Sequence, residues 1–265
     1  MDSTPSAVVT GAARGIGRAV AEQLVRRGYA VVVTDVDGSA ARRTADEIGA
    51  RTGLVQDVRD AASHRQVLDA ALEHGPLAVW VNNAGVGDDG TLVALTEEQV
   101  DRLVDVNLRG VVHGMRAALQ GFGSGPGDIV NIGSLSGPGP VPGLSVYAAT
   151  KAAVVSLTGS VHAETPRRIR VHALCPDGVA TELVATMDPR GRARKLVQSR
   201  GSLLSAESVA NHAVAMIGTR RVVRTVPAWR GALLRGSALA PSLSTPGQRL
   251  FLWLGHRATG KTKSP

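Results

Sequence analysis

The sequence predicts an α/β fold in which a doubly wound parallel sheet carries helices on both faces, in a single domain with a basic C-terminal extension. Short apolar runs rich in β-branched residues alternate with longer amphipathic segments along most of the chain, which is the pattern of successive β-α-β units. Parallel strands joined by right-handed crossovers produce a doubly wound sheet. A length of 265 residues suffices for one such domain.

Each predicted element follows from its own stretch of sequence. The apolar runs predict five strands: Ala7–Thr10, Ala30–Thr34, Leu77–Val81, Ile129–Ile132 and Ile169–Leu174. Helical periodicity predicts five helices: Gly17–Arg27, Ser39–Ile48, Ala61–His74, Glu97–Leu119 and Tyr147–Glu164. Because the strands are apolar without alternation, we expect both faces of the sheet to be buried.

The net charge of +8 is unevenly distributed. Through Pro189 the chain has 16 basic and 21 acidic residues, whereas from Arg190 onward it has 14 basic residues and only Glu207 as an acid. The strand and helix pattern weakens after Met187. We therefore predict a domain over residues 1–219 and a basic extension over residues 220–265.

The predicted extension contains Trp229, Trp253 and the run Arg249–Leu254, in which apolar and basic residues are mixed. It could be solvated or packed in an oligomer. It could also lie on an anionic membrane surface, or attract an anionic carrier such as coenzyme A or an acyl-carrier protein. The sequence leaves these alternatives open.

Bulk properties exclude several classes of protein. No run of about 18 apolar residues could span a bilayer, and no secretory signal pattern is found at the N-terminus. Cys175 is the chain's single cysteine, so no intramolecular disulfide can form. The acidic larger part contains no nucleic-acid-binding motif. We expect a cytoplasmic protein that does not bind nucleic acid.

A glycine-rich turn predicts a dinucleotide site. The first strand leads directly into Gly11-Ala-Ala-Arg-Gly15-Ile-Gly17, and a helix follows. Such a turn lets the backbone approach a pyrophosphate while the helix N-terminus presents free N–H groups to it. Glycine turns also join strands to helices without a ligand. Asp35, at the end of the second strand, favours the dinucleotide because a ribose-binding carboxylate is expected about 20 residues further on.

Asp35 and Arg14 make opposite predictions about the cofactor. The Asp35 carboxylate can accept hydrogen bonds from the ribose hydroxyls and would repel a 2′-phosphate, whereas the Arg14 guanidinium could bind that phosphate. The charge nearest the 2′ position should decide the preference. The sequence therefore predicts NAD, with NADP as the alternative.

Tyr147-Ala-Ala-Thr-Lys151 is the strongest catalytic signal. Residues i and i+4 of a helix lie on one face, so the phenol and the ammonium should share a pocket. The chain uses arginine for most of its basic residues and has four lysines. A lysine at this position favours a site that needs a compact, rotatable ammonium.

These motifs together resemble the short-chain dehydrogenase/reductase family. The similarity covers about Ala7–Ile217 and rests on the following residues, in their order and spacing: Thr10-Gly11-x-x-x-Gly15-x-Gly17, Asn82-Asn83-Ala84-Gly85, Asn107, Ser134 and Tyr147-x-x-x-Lys151. The resemblance implies a Rossmann-type fold and an NAD(P)-dependent oxidoreductase acting on a secondary alcohol or ketone. It also implies a homodimer or homotetramer.

The resemblance implies four catalytic residues. Tyr147 would exchange a proton with the substrate oxygen, and Lys151 would lower its pKa. Ser134 would hold the substrate oxygen, and Asn107 would support a water relay. The residues implied to bind the cofactor are Gly11, Arg14, Gly15, Ile16, Gly17, Asp35, Asp57, Val58, Asn83, Ala84, Gly85, Tyr147, Lys151, Pro176, Gly178, Val179 and Thr181. No metal is predicted.

One position departs from the family, which usually has glycine after Pro176 where this chain has Asp177. Asp tolerates a left-handed backbone better than most residues, so the turn should survive. Leu183–Leu204 is expected to cover the site, and Gly87–Gly90 and Gly137–Gly143 to form its other walls. Val141, Leu144 and Val179 favour a hydrophobic substrate or merely pack beneath that cover. A non-catalytic nucleotide sensor of the same fold remains the alternative function.

Overall fold

A computed structural model describes residues 4–137, 139, 141–185, 194, 197 and 202–239. Within these residues seven parallel strands form one sheet with the order β3-β2-β1-β4-β5-β6-β7. The strands are β1 (Ser6–Val9), β2 (Ala30–Asp35), β3 (Thr52–Val55), β4 (Leu77–Asn82), β5 (Gly127–Ile132), β6 (Ile169–Pro176) and β7 (Val223–Val226). The sheet confirms the predicted α/β class.

Helices connect the strands and cover both faces of the sheet. They are α1 (Gly15–Arg26), α2 (Gly38–Ile48), α3 (Ala61–Leu72), α4 (Glu97–Val104), α5 (Gly110–Phe122), α6 (Ser145–Glu164), α7 (Glu182–Ala185), α8 (Ala206–Val214) and α9 (Ala228–Leu239). Side chains cap several helices, as in the Thr96–Gln99 capping box of α4. The helix predicted over Glu97–Leu119 contains a π-helical segment, Asp105–Arg109, between α4 and α5.

The core has two apolar layers, one on each face of the sheet. Val9 and Val33 pack into the layer that contains Leu24, whereas Val8 and Trp80 pack into the other. Successive strand residues point to opposite faces, so burial of both Val8 and Val9 requires cover on both sides. The prediction of a sheet buried on both faces is confirmed.

Two strands, β3 and β7, and three helices, α7, α8 and α9, lie outside the predicted elements. β3 and β7 are the edge strands of the sheet, and each has only four residues. An edge strand needs less apolar sequence than a central one, so its periodicity is weak. β7 pairs with β6 beyond residue 219, and α9 follows it, so residues 223–239 belong to the folded domain rather than to an extension that begins at residue 220.

The rest of the predicted extension, residues 240–265, lies outside the described residues and includes Arg249–Leu254 and Trp253. Trp229 lies at the start of α9 and is 57% exposed. Within the described part of the chain, no helix is long and apolar enough to cross a membrane.

Candidate active site

A cavity of about 920 Å³ opens at the carboxyl edge of the sheet. It extends from the glycine turn and Asp35, past Tyr147, to Asp177 and Arg230. The predicted site residues that line it are Gly11, Arg14, Gly15, Ile16, Asp35, Asp57, Val58, Asn83, Ala84, Gly85, Ser134, Tyr147, Lys151, Pro176, Gly178, Val179 and Thr181. Gly17 and Asn107, which were also predicted, lie behind its wall.

The glycine turn is packed too closely for side chains. Gly11 has a φ of 61°, and a Cβ atom there would lie 2.6 Å from the Cα atom of Ala84. A Cβ atom on Gly17 would lie 2.4 Å from Nδ2 of Asn83. That amide donates hydrogen bonds to the carbonyl oxygens of Thr10 (2.9 Å) and Gly11 (2.8 Å). The turn is therefore held against the loop after β4.

The start of α1 fits a bound pyrophosphate. No side chain caps α1, whereas Asp37 caps α2 and Asp60 caps α3. The first N–H groups of α1 therefore remain available to an anion beside the glycine turn. Gly15 lines the cavity, and a Cβ atom there would meet only a methyl carbon of Thr181 at 3.6 Å, so space remains beside the turn and the residues present fit a dinucleotide.

Asp35 lies at the carboxyl end of β2, where its side chain is partly exposed to the cavity. Its Oδ2 atom accepts a hydrogen bond from the Ala13 amide at 3.1 Å, and its Oδ1 atom accepts one from the Asp37 amide at 3.3 Å. Arg14 forms a salt bridge with Glu182 at the start of α7. Asp35 and Arg14, which make opposite predictions about the cofactor, thus contact different residues.

Asp57 lies further along this end of the cavity and forms a salt bridge with Arg59, with 2.6 Å between Oδ2 and Nη2. The hydrogen bond from Arg59 lowers the pKa of the Asp57 carboxyl. Gln56 and Arg59 also line the cavity, although the sequence motifs did not indicate them.

Helix α6 brings Tyr147 and Lys151 to the middle of the cavity. The Nζ atom of Lys151 lies 5.7 Å from the centre of the Tyr147 ring and donates a hydrogen bond to the Ile132 carbonyl at 3.1 Å. Ser134 follows β5 and lies near enough to the Tyr147 hydroxyl to act on its pKa. Ser134 lies outside α6 in the sequence, and the two meet at the carboxyl edge of the sheet.

Burial of Tyr147 and Lys151 favours the neutral form of each side chain. Burial raises the pKa of Tyr147, and the hydrogen bond from Ser134 opposes that effect. Burial lowers the pKa of Lys151 to about 8, and its side chain is only 4% exposed. At neutral pH the phenol therefore carries its proton while Lys151 is still mostly positive.

The side chain of Asn107 contacts the loop that follows β4. It lies in the π-helical segment, is fully buried, and exchanges two hydrogen bonds with the Val86 backbone, each 2.9 Å long. A Cβ atom on Gly85 would lie 3.2 Å from Oδ1 of Asn107 and 3.5 Å from Nζ of Lys151. Asn107 thus holds the loop that passes next to Lys151. Its water relay stays a prediction.

The far end of the cavity combines an apolar wall with one ion pair. Val141 and Leu144 line it together with Val184 and Val197. The two predicted wall loops are joined, because the Gly90 amide donates to the Gly143 carbonyl at 2.9 Å. Of the predicted cover, Leu183–Leu204, much lies outside the described residues.

Arg230 and Leu234 of α9 also line this end, and no sequence motif indicated them. Asp177, noted only as a departure from a family pattern, pairs with Arg230. A helix beyond the predicted domain boundary therefore contributes to the cavity wall.

Comparison with known proteins identifies the family. The family described as short chain dehydrogenase matches residues 5–191, which is more than half of the chain. This chain belongs to the short-chain dehydrogenase/reductase family. It has the Rossmann-type fold of that family.

Several family members are similar to this chain. The probable oxidoreductase EphD of Mycobacterium tuberculosis is 38% identical over 187 residues, but the chain spans only 31% of its length. A sorbitol dehydrogenase of Cereibacter sphaeroides is 40% identical, with 67% of this chain and 71% of the relative covered. The 3-oxoacyl-[acyl-carrier-protein] reductase of Escherichia coli is 34% identical, with 80% and 89% covered.

A solved structure supports the same assignment. A short-chain dehydrogenase/reductase from Burkholderia phymatum, in complex with NAD, superposes with a TM-score of 0.82 and 31% identity. The match covers 92% of this chain and 96% of that one. The predicted Rossmann-type fold is therefore confirmed along most of the chain.

Proposed function

We propose that this family member is an NAD-dependent enzyme that interconverts a secondary alcohol and a ketone, with Tyr147 as the acid/base. The observation that supports this most is the position of Tyr147, Ser134 and Lys151 on one cavity with the glycine turn. A ligand that reaches from the turn to Tyr147 would present its far end to the phenol. When bound, the nicotinamide supplies or accepts the hydride.

Tyr147, Ser134 and Lys151 have separate roles in the proton transfer. In ketone reduction the Tyr147 hydroxyl donates its proton to the substrate oxygen, and in alcohol oxidation the phenolate takes that proton back. Ser134, which lines the cavity beside Tyr147, positions the substrate oxygen. The positive charge of Lys151 favours the phenolate and so opposes the effect of burial on the Tyr147 pKa.

The choice of NAD rests on Asp35 and Arg14. The Asp35 carboxylate faces the cavity where β2 ends. It can therefore accept hydrogen bonds from the ribose hydroxyls and would repel a 2′-phosphate. The salt bridge with Glu182 directs Arg14 toward α7. Both features support NAD over NADP.

The cofactor preference is tested by steady-state kinetics. We expect kcat/KM to be at least about tenfold higher with NAD than with NADP, and Asp35→Asn to reduce that ratio by about tenfold through loss of a charge-assisted hydrogen bond. Asp46→Asn removes an exposed carboxylate from the neighbouring helix α2 and should leave the ratio unchanged. A tenfold preference of the wild type for NADP would overturn the proposal.

Two alternatives have specific consequences. An NADPH-dependent ketoreductase is favoured by Arg14, which lines the cavity and could move from Glu182 to a 2′-phosphate. A non-catalytic nucleotide sensor has no need of a phenol next to an ammonium, so the set Ser134, Tyr147 and Lys151 speaks against it. Tight NAD binding without NADH turnover on a panel of alcohols and ketones would favour the sensor.

The apolar wall supports a hydrophobic substrate. Leu144 is buried and packs with Val141, Tyr147 and Val197. An alkyl group of the substrate would be buried there next to the reacting oxygen. We extend the proposal to the predicted homodimer or homotetramer and cytoplasmic location, the latter supported by the free, buried Cys175.

A further inference from the structure

The cavity contains a buried ion pair that the proposed reaction does not use. Nη1 of Arg230 lies 2.8 Å from Oδ2 of Asp177, and the two side chains are only 9% and 7% exposed. Both residues line the cavity. The Asp177 amide donates to the Val226 carbonyl at 2.8 Å, which fixes this turn to the end of β7.

The pair lies next to the catalytic group. The Leu135 amide donates to the Pro176 carbonyl at 2.8 Å, so the residues that follow β5 and β6 are held side by side. Ser134 therefore lies close to the turn that carries Asp177. A substrate that places its oxygen at Ser134 has the ion pair within reach of its far end.

The surroundings of the pair are apolar. Leu234 lies one turn after Arg230 on α9 and lines the same cavity. The loop opposite packs against it, since a Cβ atom on Gly139 would lie 3.2 Å from a methyl carbon of Leu234. Val141 and Leu144 belong to the same lining. The ion pair thus lies next to apolar residues of the cavity wall.

Removing two charges from water is costly, and a buried ion pair is commonly no more stabilising than an apolar pair of similar size. Stability alone therefore does not account for this pair. A cavity wall that must recognise a polar ligand group gives a reason for it.

We propose that Asp177 and Arg230 determine substrate specificity by binding an uncharged hydroxyl group on an otherwise apolar ketone or alcohol and by excluding anionic substrates. This deepens the proposed function, since it concerns the substrate of the same site. A hydroxyl can accept from the guanidinium and donate to the carboxylate at once. Each charged group then gains a hydrogen bond.

An anionic group does not match the pair. The carboxylate of Asp177 already offsets the charge of the Arg230 guanidinium, so a substrate carboxylate would add a second negative charge next to Asp177 in a buried site. Bound to Arg230, it would also lie close to Asp177, whose oxygen is already 2.8 Å from the guanidinium. Repulsion between like charges is strong in such surroundings.

Binding can be measured without turnover. The full chain, loaded with NAD, is titrated calorimetrically with matched methyl ketones of five to eight carbons that end in a methyl, hydroxymethyl or carboxylate group. We expect the best hydroxymethyl ketone to bind about tenfold more tightly than its methyl counterpart, the effect of one hydrogen bond to a charged group. The carboxylate should bind at least about tenfold more weakly than the hydroxymethyl ketone.

Two variants assign these differences to the pair. Asp177→Asn leaves the guanidinium positive, so carboxylate binding should tighten by at least about tenfold. The double variant Asp177→Asn/Arg230→Met removes both charges and should abolish the advantage of hydroxymethyl over methyl. Arg235→Gln removes an exposed charge from the same helix and should change neither ratio. NAD affinity checks that each variant is folded.

The outcomes separate this proposal from the proposed reaction. Wild-type protein that binds the carboxylate as tightly as the hydroxymethyl ketone, or binds none of the ketones, overturns the assignment of the pair. Unchanged ratios in both variants do the same. Pair-dependent binding without any NADH turnover would retain the pair and contradict the reaction instead.

Discussion

The groups around Tyr147 act on its pKa in opposite directions. Burial raises its pKa, and a hydrogen bond from Ser134 acts in the other direction. Alcohol oxidation requires the phenolate, so a nearby positive charge is needed near neutral pH. Lys151, with Nζ 5.7 Å from the ring centre, supplies that charge while it remains protonated.

Replacing Lys151 should therefore change the pH dependence of oxidation. Burial lowers the Lys151 pKa to about 8, so its charge is present at lower pH and is lost as the pH rises through that value. Lys151→Met removes the charge, and the Tyr147 pKa should rise further. We expect the acidic limb of kcat/KM for alcohol oxidation to move at least about one pH unit upward. An unchanged limb would show that Lys151 does not act on Tyr147.

Single residues differ in how far the sequence predicts them. Tyr147, Lys151 and the glycine turn have chemical roles that fix their spacing, so the motif alone indicates them. Arg230 was missed, because an arginine on a helix surface resembles any solvated arginine until β7 brings α9 to the cavity. Asp177 attracted notice only through the glycine it replaces.

At the scale of elements, buried side-chain hydrogen bonds connect β4, β5 and α6. Trp80 Nε1 donates to Asn82 at 2.8 Å, Asn82 to Asn131 at 2.8 Å, and Asn131 to Thr158 at 2.9 Å. Helix α5 passes over this network at Gly114, where a Cβ atom would lie 2.0 Å from Oδ1 of Asn82. The network fixes the position of α6, which carries Tyr147.

Gly114→Ala should destabilise the protein. The added methyl must displace Asn82 or move α5, which costs about 1–3 kcal/mol of the free energy of unfolding. Gly159→Ala, in the interior of α6, is the matched control, because a Cβ atom there meets no atom within 4 Å. That change should stabilise by about 0.5–1 kcal/mol. Chemical denaturation compares the two, and equal effects would contradict the close packing at Gly114.

The five strands and five helices with clear periodicity were all predicted near their observed positions. Their boundaries moved by a few residues, as with α6, which begins at Ser145 rather than Tyr147. β3 and β7 were missed because short edge strands need little apolar sequence. The π-helical segment was missed because Asp105–Arg109 continues the helical periodicity.

Across the whole molecule, the carboxyl ends and the amino ends of the strands have different roles. The cavity occupies the carboxyl edge, where ligands of such sheets bind. Near the amino ends of β5 and β6, Asp128 is buried among Arg170 (2.7 Å), His172 (3.0 Å) and the Gly218 amide (3.0 Å). This cluster joins two strands to the turn before β7 and does not line the cavity.

Asp128 should make stability depend on pH. Burial opposes its charge, but hydrogen bonds from Arg170, His172 and Gly218 prevail and lower its pKa to about 2. A folded-state pKa below the unfolded value of 3.8 adds stability above about pH 4, which is lost as the pH falls toward 2. The contribution amounts to about 2 kcal/mol at neutral pH.

Unfolding of Asp128→Asn at pH 7 and at pH 2 tests this contribution. The variant should be less stable than the wild type by at least about 2 kcal/mol at pH 7, and the difference should shrink by about that amount at pH 2. Asp69→Asn, an exposed carboxylate on α3, should show little difference at either pH. A difference that is the same at both pH values would contradict the assignment.

The most direct test of the whole account is the single-turnover rate of Tyr147→Phe with NADH and a reactive ketone, measured with the Kd for NADH. The change removes one hydroxyl from a cavity that Tyr147 shares with the glycine turn. We predict at least a ~1,000-fold loss of the rate, because the proton donor is gone, and a Kd for NADH within about twofold of wild type. A variant that reduces the ketone at near wild-type rate would contradict the central claim that Tyr147 moves the proton.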